Sequence, residues 1–272
     1  MSDPATQTIV VTGASSGIGR ELALQLAAPG RELWLVARNV ARLEDVAASV
    51  RAAGAIARVI SLDLTDTTAA ARFLDAEMAG QRIDQIYLAA AISLYGEVHH
   101  VRLEDWDRLY RTILLSTLQW AHAAYANMVP RRAGRIVIIG SLSGITGYPT
   151  ATPYASLKAG LGGFFRSLRH EAGTYDIDVH LVSPGYVNTD IFRSAIYRDS
   201  DYESTMKQIS ALGFPMMQPA AAAKEILKGI SRGKKEIVFP GYARLCAWFA
   251  NRLSWSVYPV YTKILREFRK LP

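Results

Sequence analysis

Tyr154 and Lys158 stand four positions apart in Tyr154-Ala155-Ser156-Leu157-Lys158. On a helix that spacing puts a phenol and an ammonium on one face, one turn apart. Such a pair can move a proton. When hydride reaches a carbonyl carbon, the developing alkoxide needs a proton donor, and tyrosine can supply it. At its ordinary pKa of about 10, tyrosine is a poor base for the reverse reaction. A neighbouring ammonium favours the phenolate and is expected to lower that pKa. Ser141 lies thirteen residues before Tyr154, just after the apolar run 135–139, and offers a third group to hold the reacting oxygen. In Gly140-Ser141-Leu142-Ser143-Gly144 a second hydroxyl, Ser143, competes for that role. The thirteen-residue separation and the strand-end register favour Ser141.

Hydride has to come from a cofactor, and the N-terminus carries a candidate cradle. The apolar run 8–12 leads directly into Thr12-Gly13-Ala14-Ser15-Ser16-Gly17-Ile18-Gly19, followed by a helical pattern. A strand, a glycine turn and a helix start in that order present free backbone N–H groups at the positive end of a helix dipole. A pyrophosphate can dock there, and glycine is required where a Cβ would block the turn or the ligand. Gly13, Ser15, Ser16, Gly17, Ile18 and Gly19 are therefore candidate cofactor contacts. The next strand ends in Val36-Ala37-Arg38-Asn39. An acidic residue there would take the ribose 2′-hydroxyl of NAD, whereas a basic one pairs with a 2′-phosphate. Ala37 can do neither and Arg38 suits the phosphate, so NADP(H) is expected in preference to NAD(H).

The elements that must position these groups follow from alternating patterns. Near-continuous apolar runs at 8–12, 32–37, 58–62, 85–89, 135–139, 179–183 and 236–239 read as strands buried on both faces. Between them, helical periods run over about 17–28, 40–53, 66–79, 104–129, 152–173 and 220–231, with Asp66 placed to cap the third and Asp84 just ahead of the fourth strand. The alternation predicts an α/β fold, a Rossmann-like doubly wound parallel sheet of about seven strands with helices on both faces. No Pro, Gly or Ser-rich linker divides it, so residues 1–241 are expected to form one domain. Within it, 190–218 is too long for a plain connection and is expected to act as a substrate lid. Residues 242–272 form an aromatic, basic, helical extension.

Composition narrows the function classes. Half of the 272 residues are hydrophobic, enough for a sizeable core. The net charge of +7 is local: 231–272 holds 9 of the 31 basic and 2 of the 24 acidic residues, which leaves 22 of each sign in 1–230. A nucleic-acid binder would carry its basic face on the main domain, so no nucleic-acid partner is expected. Cys246 is the single cysteine, which excludes an intramolecular disulfide framework and a cysteine-based metal site; no metal is expected. The polar start, Met1 to Gln7, has none of the features of a secretory signal. No run reaches the roughly 18 apolar residues of a spanning helix. A cytoplasmic location follows as the expectation.

With its Thr12–Gly19 turn of the TGxxxGxG form, the Tyr154/Lys158 pair and Ser141 in order, the sequence resembles the short-chain dehydrogenase/reductase family over roughly residues 6–240. The resemblance implies an oxidoreductase acting on a carbonyl/alcohol pair, with NADP(H) the cofactor that Arg38 favours. It also implies that Ser141 orients the substrate carbonyl, that Tyr154 is the acid/base, and that Lys158 additionally binds the nicotinamide ribose. Asp63 and Leu64 match the family's adenine-contacting pair. Pro184, Gly185, Val187 and Thr189 match the motif that fixes the nicotinamide carboxamide; as a helix N-cap, Thr189 would be unremarkable. A homodimer or homotetramer, paired through helices 104–129 and 152–173, is implied too. Two family features are missing. Leu88-Ala89-Ala90-Ala91 replaces Asn-Asn-Ala-Gly, and Ile113 falls at the family's catalytic asparagine, beside Thr112 and one turn before Ser116. Isoleucine cannot support the proton relay, for which Thr112 or Ser116 are the available substitutes. Two alternatives therefore stay open: other chemistry on the same constellation, such as sugar epimerisation or dehydration, and an NADP-binding regulatory protein without turnover.

The tail bears on the substrate. Leu245, Trp248, Phe249, Arg252, Trp255 and Tyr258 recur at helical spacings, Pro259 kinks or ends the helix, and a basic stretch 263–270 follows. Such a helix either packs over the substrate cleft or a subunit interface, or lies at a membrane surface. Both readings make the cleft apolar, and the 190–218 segment adds Ile191, Phe192, Tyr197, Phe214, Met216 and Met217. The expected substrate is a hydrophobic small molecule, lipid-like or steroid-like, with a sugar-derived one as the alternative.

Overall fold

The computed structural model describes residues 6–78, 80–253, 255 and 258–269. Most of the polar start, the last residue of the expected helix 66–79, and positions 254, 256, 257 and 270–272 of the tail lie outside them.

Among the described residues nine strands follow in chain order: β1 (Gln7–Thr12), β2 (Arg31–Ala37), β3 (Ile56–Ser61), β4 (Gln85–Leu88), β5 (Leu94–Tyr95), β6 (Gly134–Ile139), β7 (Ile177–Pro184), β8 (Ile196–Tyr197) and β9 (Glu236–Phe239). Seven of them pair in parallel in the order β3-β2-β1-β4-β6-β7-β9. The chain winds outward from β1 to β3 and then returns to the other side of β1. That reversal opens a crevice beyond the carboxyl ends of β1 and β4. The fold is the expected doubly wound, Rossmann-like one.

Why the central strands read as unbroken apolar runs is visible in the packing. Successive side chains point to opposite faces, and both faces are covered. Val10, Ile86 and Ile136 pack with Trp120 and Phe165 on one face. Ile9, Val11 and Val137 pack with Leu22, Val46 and Ile226 on the other. The covering helices are α1 (Gly17–Leu26), α2 (Val40–Ala52), α3 (Thr67–Phe73), α4 (Leu103–Leu109), α5 (Ser116–Met128), α7 (Thr152–Gly173) and α9 (Pro219–Ser231). The short α6 (Ser143–Thr146) packs on α7, and α8 (Tyr202–Ala211) belongs to a separate cluster around Tyr95. Asp66 caps α3, accepting from Thr68 N and Ala69 N at 3.1 and 2.9 Å. The Asp84 carboxylate accepts from Thr8 N at 2.9 Å and so ties the start of β1 to the turn before β4.

Two expectations change. The run 104–129 is not one regular helix: α4 passes through a widened π-type turn, Tyr110–Leu115, before α5 begins. Such turns recur at functional positions because they shift the register of the side chains on either side. The 190–218 segment is not a bare lid loop. Its β8 pairs in parallel with β5 to make a small second sheet, and α8 follows. Tyr95 of β5 stacks on Phe192 and Tyr197, with ring centroids 6.3 and 5.8 Å apart, which anchors the segment.

The tail forms α10 (Gly241–Arg252) and α11 (Tyr258–Arg269), and α10 packs on α6 and β9. Among the described residues no helix is long and apolar enough to cross a membrane.

Candidate active site

A cleft of about 540 Å³ opens at the carboxyl ends of the central strands, and every residue singled out above as catalytic or cofactor-contacting lines it. At one end lies the glycine turn. Gly13 has φ +70°, and a Cβ on Gly19 would lie 2.4 Å from Gly13 O, so the turn closes only with glycine there. A Cβ on Gly13 would fall 2.9 Å from the backbone of Ala90. Thr12 Oγ1 accepts from Ala89 N and Ala90 N at 3.1 and 3.4 Å. Thr12 thus fastens the end of β4 to the turn, a positioning role that sequence reasoning missed. Ser16, the N-cap of α1, makes no side-chain hydrogen bond to the helix, and the first turn of α1 has no acidic residue. Backbone N–H groups therefore face the cleft without a side-chain acceptor, which fits the pyrophosphate of a dinucleotide.

At the end of β2, Arg38 is largely exposed and lies 4.0 Å from Asp63. That distance and exposure make a weak pair, which leaves the guanidinium available. The Asp63 carboxylate already accepts from Thr65 N at 2.9 Å and Thr65 Oγ1 at 2.8 Å, which fixes its orientation. Arg42, unremarked in the sequence, also lines the cleft and pairs with Asp190 at 2.8 Å. Thr189 lies in irregular chain after β7 rather than at a helix start, and its methyl group would be 3.1 Å from a Cβ on Gly17.

The catalytic trio meets where β6 ends. Lys158, almost wholly buried, donates from Nζ to Ile139 O at 2.7 Å, and its Nζ lies 5.7 Å from the centre of the Tyr154 ring. The Tyr154 phenol is hydrogen-bonded to Ser141. Ser143 proves a partner of Ser141 rather than a competitor: the two hydroxyls are 2.8 Å apart, and Ser143 N donates to Ser141 Oγ at 3.2 Å. The end of β6 thus carries both the serine and the carbonyl that holds the lysine.

The electrostatics correct one expectation. Burial pushes the Tyr154 phenol up to about 12, opposed by the Ser141 hydrogen bond, and pushes the Lys158 ammonium down to about 7. Loss of water disfavours the charged form of each group. Desolvation, not the ammonium, dominates the phenol, which is held protonated at neutral pH.

Ile113 is fully buried in the core on one side of the π-type turn, while Thr112 faces the cleft. The Thr112 hydroxyl donates to Arg108 O at 2.8 Å and the Ser116 hydroxyl to Thr112 O at 2.7 Å. Both candidate substitutes for the relay asparagine spend their proton on the helix backbone.

The far end of the cleft is apolar and comes from dispersed elements. Tyr148, Tyr186, Phe214, Tyr242, Tyr261 and Ile264 line it. Phe214 stacks on Tyr242 at 4.5 Å. Tyr186 N donates to Tyr242 Oη at 2.7 Å, and a Cβ on Gly185 would lie 2.4 Å from that oxygen. Gly185 thus serves the tail as well as the motif after β7. Tyr261 donates to Thr146 O at 2.6 Å, and Arg269 pairs with Glu97 through two hydrogen bonds of 2.9 and 3.0 Å. These contacts hold α11 over the cleft mouth, in keeping with the cleft-packing reading of the tail.

The family model for short chain dehydrogenases matches residues 7–199. Dehydrogenase/reductase SDR family member 7B of Bos taurus is 30% identical over 237 residues, covering 85% of this chain and 72% of that protein. A short-chain dehydrogenase from Sphingobium yanoikuyae, solved with NADPH, is 26% identical with a TM-score of 0.78, covering 92% of this chain and 94% of the other. A bulky-bulky ketone specific alcohol dehydrogenase from Comamonas testosteroni is 25% identical with a TM-score of 0.75, covering 95% and 94%. Matching structures include complexes with NADPH and with NAD.

Proposed function

The chain belongs to the short-chain dehydrogenase/reductase family, and from that premise we propose that it reduces a largely apolar ketone or aldehyde with NADPH. The observation that carries this reading is the meeting of Ser141, Tyr154 and Lys158 in one cleft, between a glycine turn and an apolar chamber. Gly13–Gly19 would hold the pyrophosphate, Asp63 and Leu64 the adenine, and Pro184, Gly185, Val187 and Thr189 the carboxamide. Arg38 would take the 2′-phosphate, with Arg42 close by. The bound nicotinamide supplies the hydride.

Ser141 holds the carbonyl oxygen by a hydrogen bond and keeps it against the Tyr154 hydroxyl. Tyr154 donates its proton to that oxygen as negative charge develops. A phenol held near 12 is fully protonated at neutral pH and still far more acidic than an alkoxide's conjugate alcohol, so the transfer runs downhill. Lys158, held by Ile139 O, stabilises the phenolate left behind. These protonation states favour reduction over oxidation near neutral pH. The apolar chamber favours a hydrophobic substrate over a sugar, and α10 and α11 act as its cap.

Buried Ile113 supports one other reading, a protein that binds NADPH without turning it over. NADPH oxidation across carbonyls graded from small and polar to bulky and apolar separates the two. Turnover that rises with apolar bulk and is lost in Tyr154→Phe, with NADPH binding kept, supports reduction. NADPH binding without turnover across the whole series overturns it.

A further inference from the structure

The helices that cap the chamber have a second face that the chemistry does not use. Along α10, Tyr242 and Cys246 point into the cleft and Ala243 and Ala247 are buried. The opposite side presents Arg244, Leu245, Trp248 and Arg252, with Leu245 57% and Trp248 51% exposed. The chain beyond continues the pattern, with Trp255 73% and Tyr258 74% exposed. Trp248 and Trp255 are the only tryptophans among the exposed large apolar side chains described. Three exposed aromatic side chains within eleven residues of sequence, 248 to 258, are seldom found on a surface that meets only water.

We propose that this outer face of α10 and the start of α11 docks on a lipid surface containing anionic headgroups. Tryptophan and tyrosine favour the headgroup level of a bilayer, where an apolar ring and a polar edge are both accommodated. The charge along this stretch is predominantly positive. Arg244, Arg252, Lys263 and Arg266 are exposed, and Glu267 is the single acidic residue from 241 to the end of the sequence. Cationic side chains flanking an aromatic face match an anionic leaflet. The same charges oppose a second copy of the chain as the occupant. A two-fold contact through this face would pack one cationic face against an identical cationic face. Arg269, by contrast, is engaged with Glu97 and helps hold α11 in place.

The two faces of one helix thereby join two environments. Tyr242, Cys246, Tyr261 and Ile264 line the cleft mouth from the inside, while the rings on the outside would rest in the lipid interface. An apolar substrate dissolved in the bilayer would meet the chamber without crossing water. That consequence rests on the function proposed above; the docking does not.

The test therefore uses the full-length protein without substrate. Flotation is measured with vesicles of phosphatidylcholine alone and of phosphatidylcholine carrying about 30 mol% phosphatidylserine. The native chain is expected to float with the anionic vesicles at least about tenfold better than with the neutral ones, and less well as salt rises. Trp248→Ser/Trp255→Ser and Arg244→Glu/Arg252→Glu should each lower that binding about tenfold or more. Both variants should melt at the native temperature and bind NADPH as before, because neither pair lines the cleft. Flotation unchanged in the tryptophan variant, or absent from native chain on both vesicle types, overturns the proposal. So does a native dimer that the tryptophan variant converts to monomer while neither floats.

Discussion

The two ends of the cleft are built from different materials. At the nucleotide end the walls are backbone, set so close that single atoms do not fit. A Cβ on Gly19 would lie 2.4 Å from Gly13 O, and one on Gly13 would lie 2.9 Å from Ala90. At the substrate end the walls are side chains contributed by α6, α10, α11 and the loops after β7. They are joined by stacked rings and by hydroxyls that accept from a distant backbone N–H, as Tyr242 does, or donate to a distant carbonyl, as Tyr261 does. A backbone cradle admits one shape of ligand and tolerates no change. A chamber of side chains can be reshaped one residue at a time while the chemistry between the two ends stays fixed.

Substitutions across the cleft should break or sharpen this contrast in a graded way. The largest effect belongs to the junction: Tyr154→Phe should lower kcat about 10³-fold with NADPH affinity unchanged, read by steady-state rates and nucleotide titration. Next comes the cradle, where Gly19→Ala should weaken NADPH binding about a hundredfold and lower the melting temperature, since backbone cannot yield as a side chain does. An unchanged Kd there would remove the distinction between the two ends. Arg38→Ala should cost NADPH about ten- to a hundredfold in KM and leave NADH almost untouched. In the chamber, Ile264→Ala should raise KM about three- to tenfold for a bulky apolar ketone and leave a small carbonyl unaffected, because only the large substrate reaches it.

The smallest change concerns stability. Lys158 titrates near 7 in the folded chain against an ordinary 10.5, so the unfolded chain binds the extra proton between those values. Native stability accordingly rises with pH across that window, and the penalty for burying the ammonium is full below about pH 7. Lys158→Met removes the penalty. It should raise the melting temperature by a few degrees near neutrality, about 2–4 °C per kcal/mol, with the gain shrinking toward pH 10 while turnover is lost. A gain independent of pH would show that the lysine is not strained by burial.

Legibility in the sequence follows the same division. The cradle could be read because strand, glycine turn and helix are consecutive, and Tyr154 and Lys158 because one helical turn joins them. Arg38 could be read from its place at a strand end. The chamber could not. Tyr242 meets Tyr186 across 56 residues and Tyr261 meets Thr146 across 115, and no local period announces either contact. The two-residue strands β5 and β8 are too short to show alternation. The π-type turn, which sends Ile113 into the core and Thr112 into the cleft, looks in sequence like ordinary helix. The direction of the Tyr154 shift was missed because adjacency of charges is visible along a chain and burial is not.

The central claim is that Tyr154, Ser141 and Lys158 serve a hydride transfer from NADPH to the carbonyl carbon of an apolar substrate. Incubation with NADPH deuterated at its transferable position and a bulky apolar ketone, followed by mass spectrometry of the product, tests it most directly. One deuterium on the new carbinol carbon, formed by native chain and not by Tyr154→Phe, is the predicted result. Product without deuterium, or equal labelling by the Tyr154→Phe variant, would contradict it.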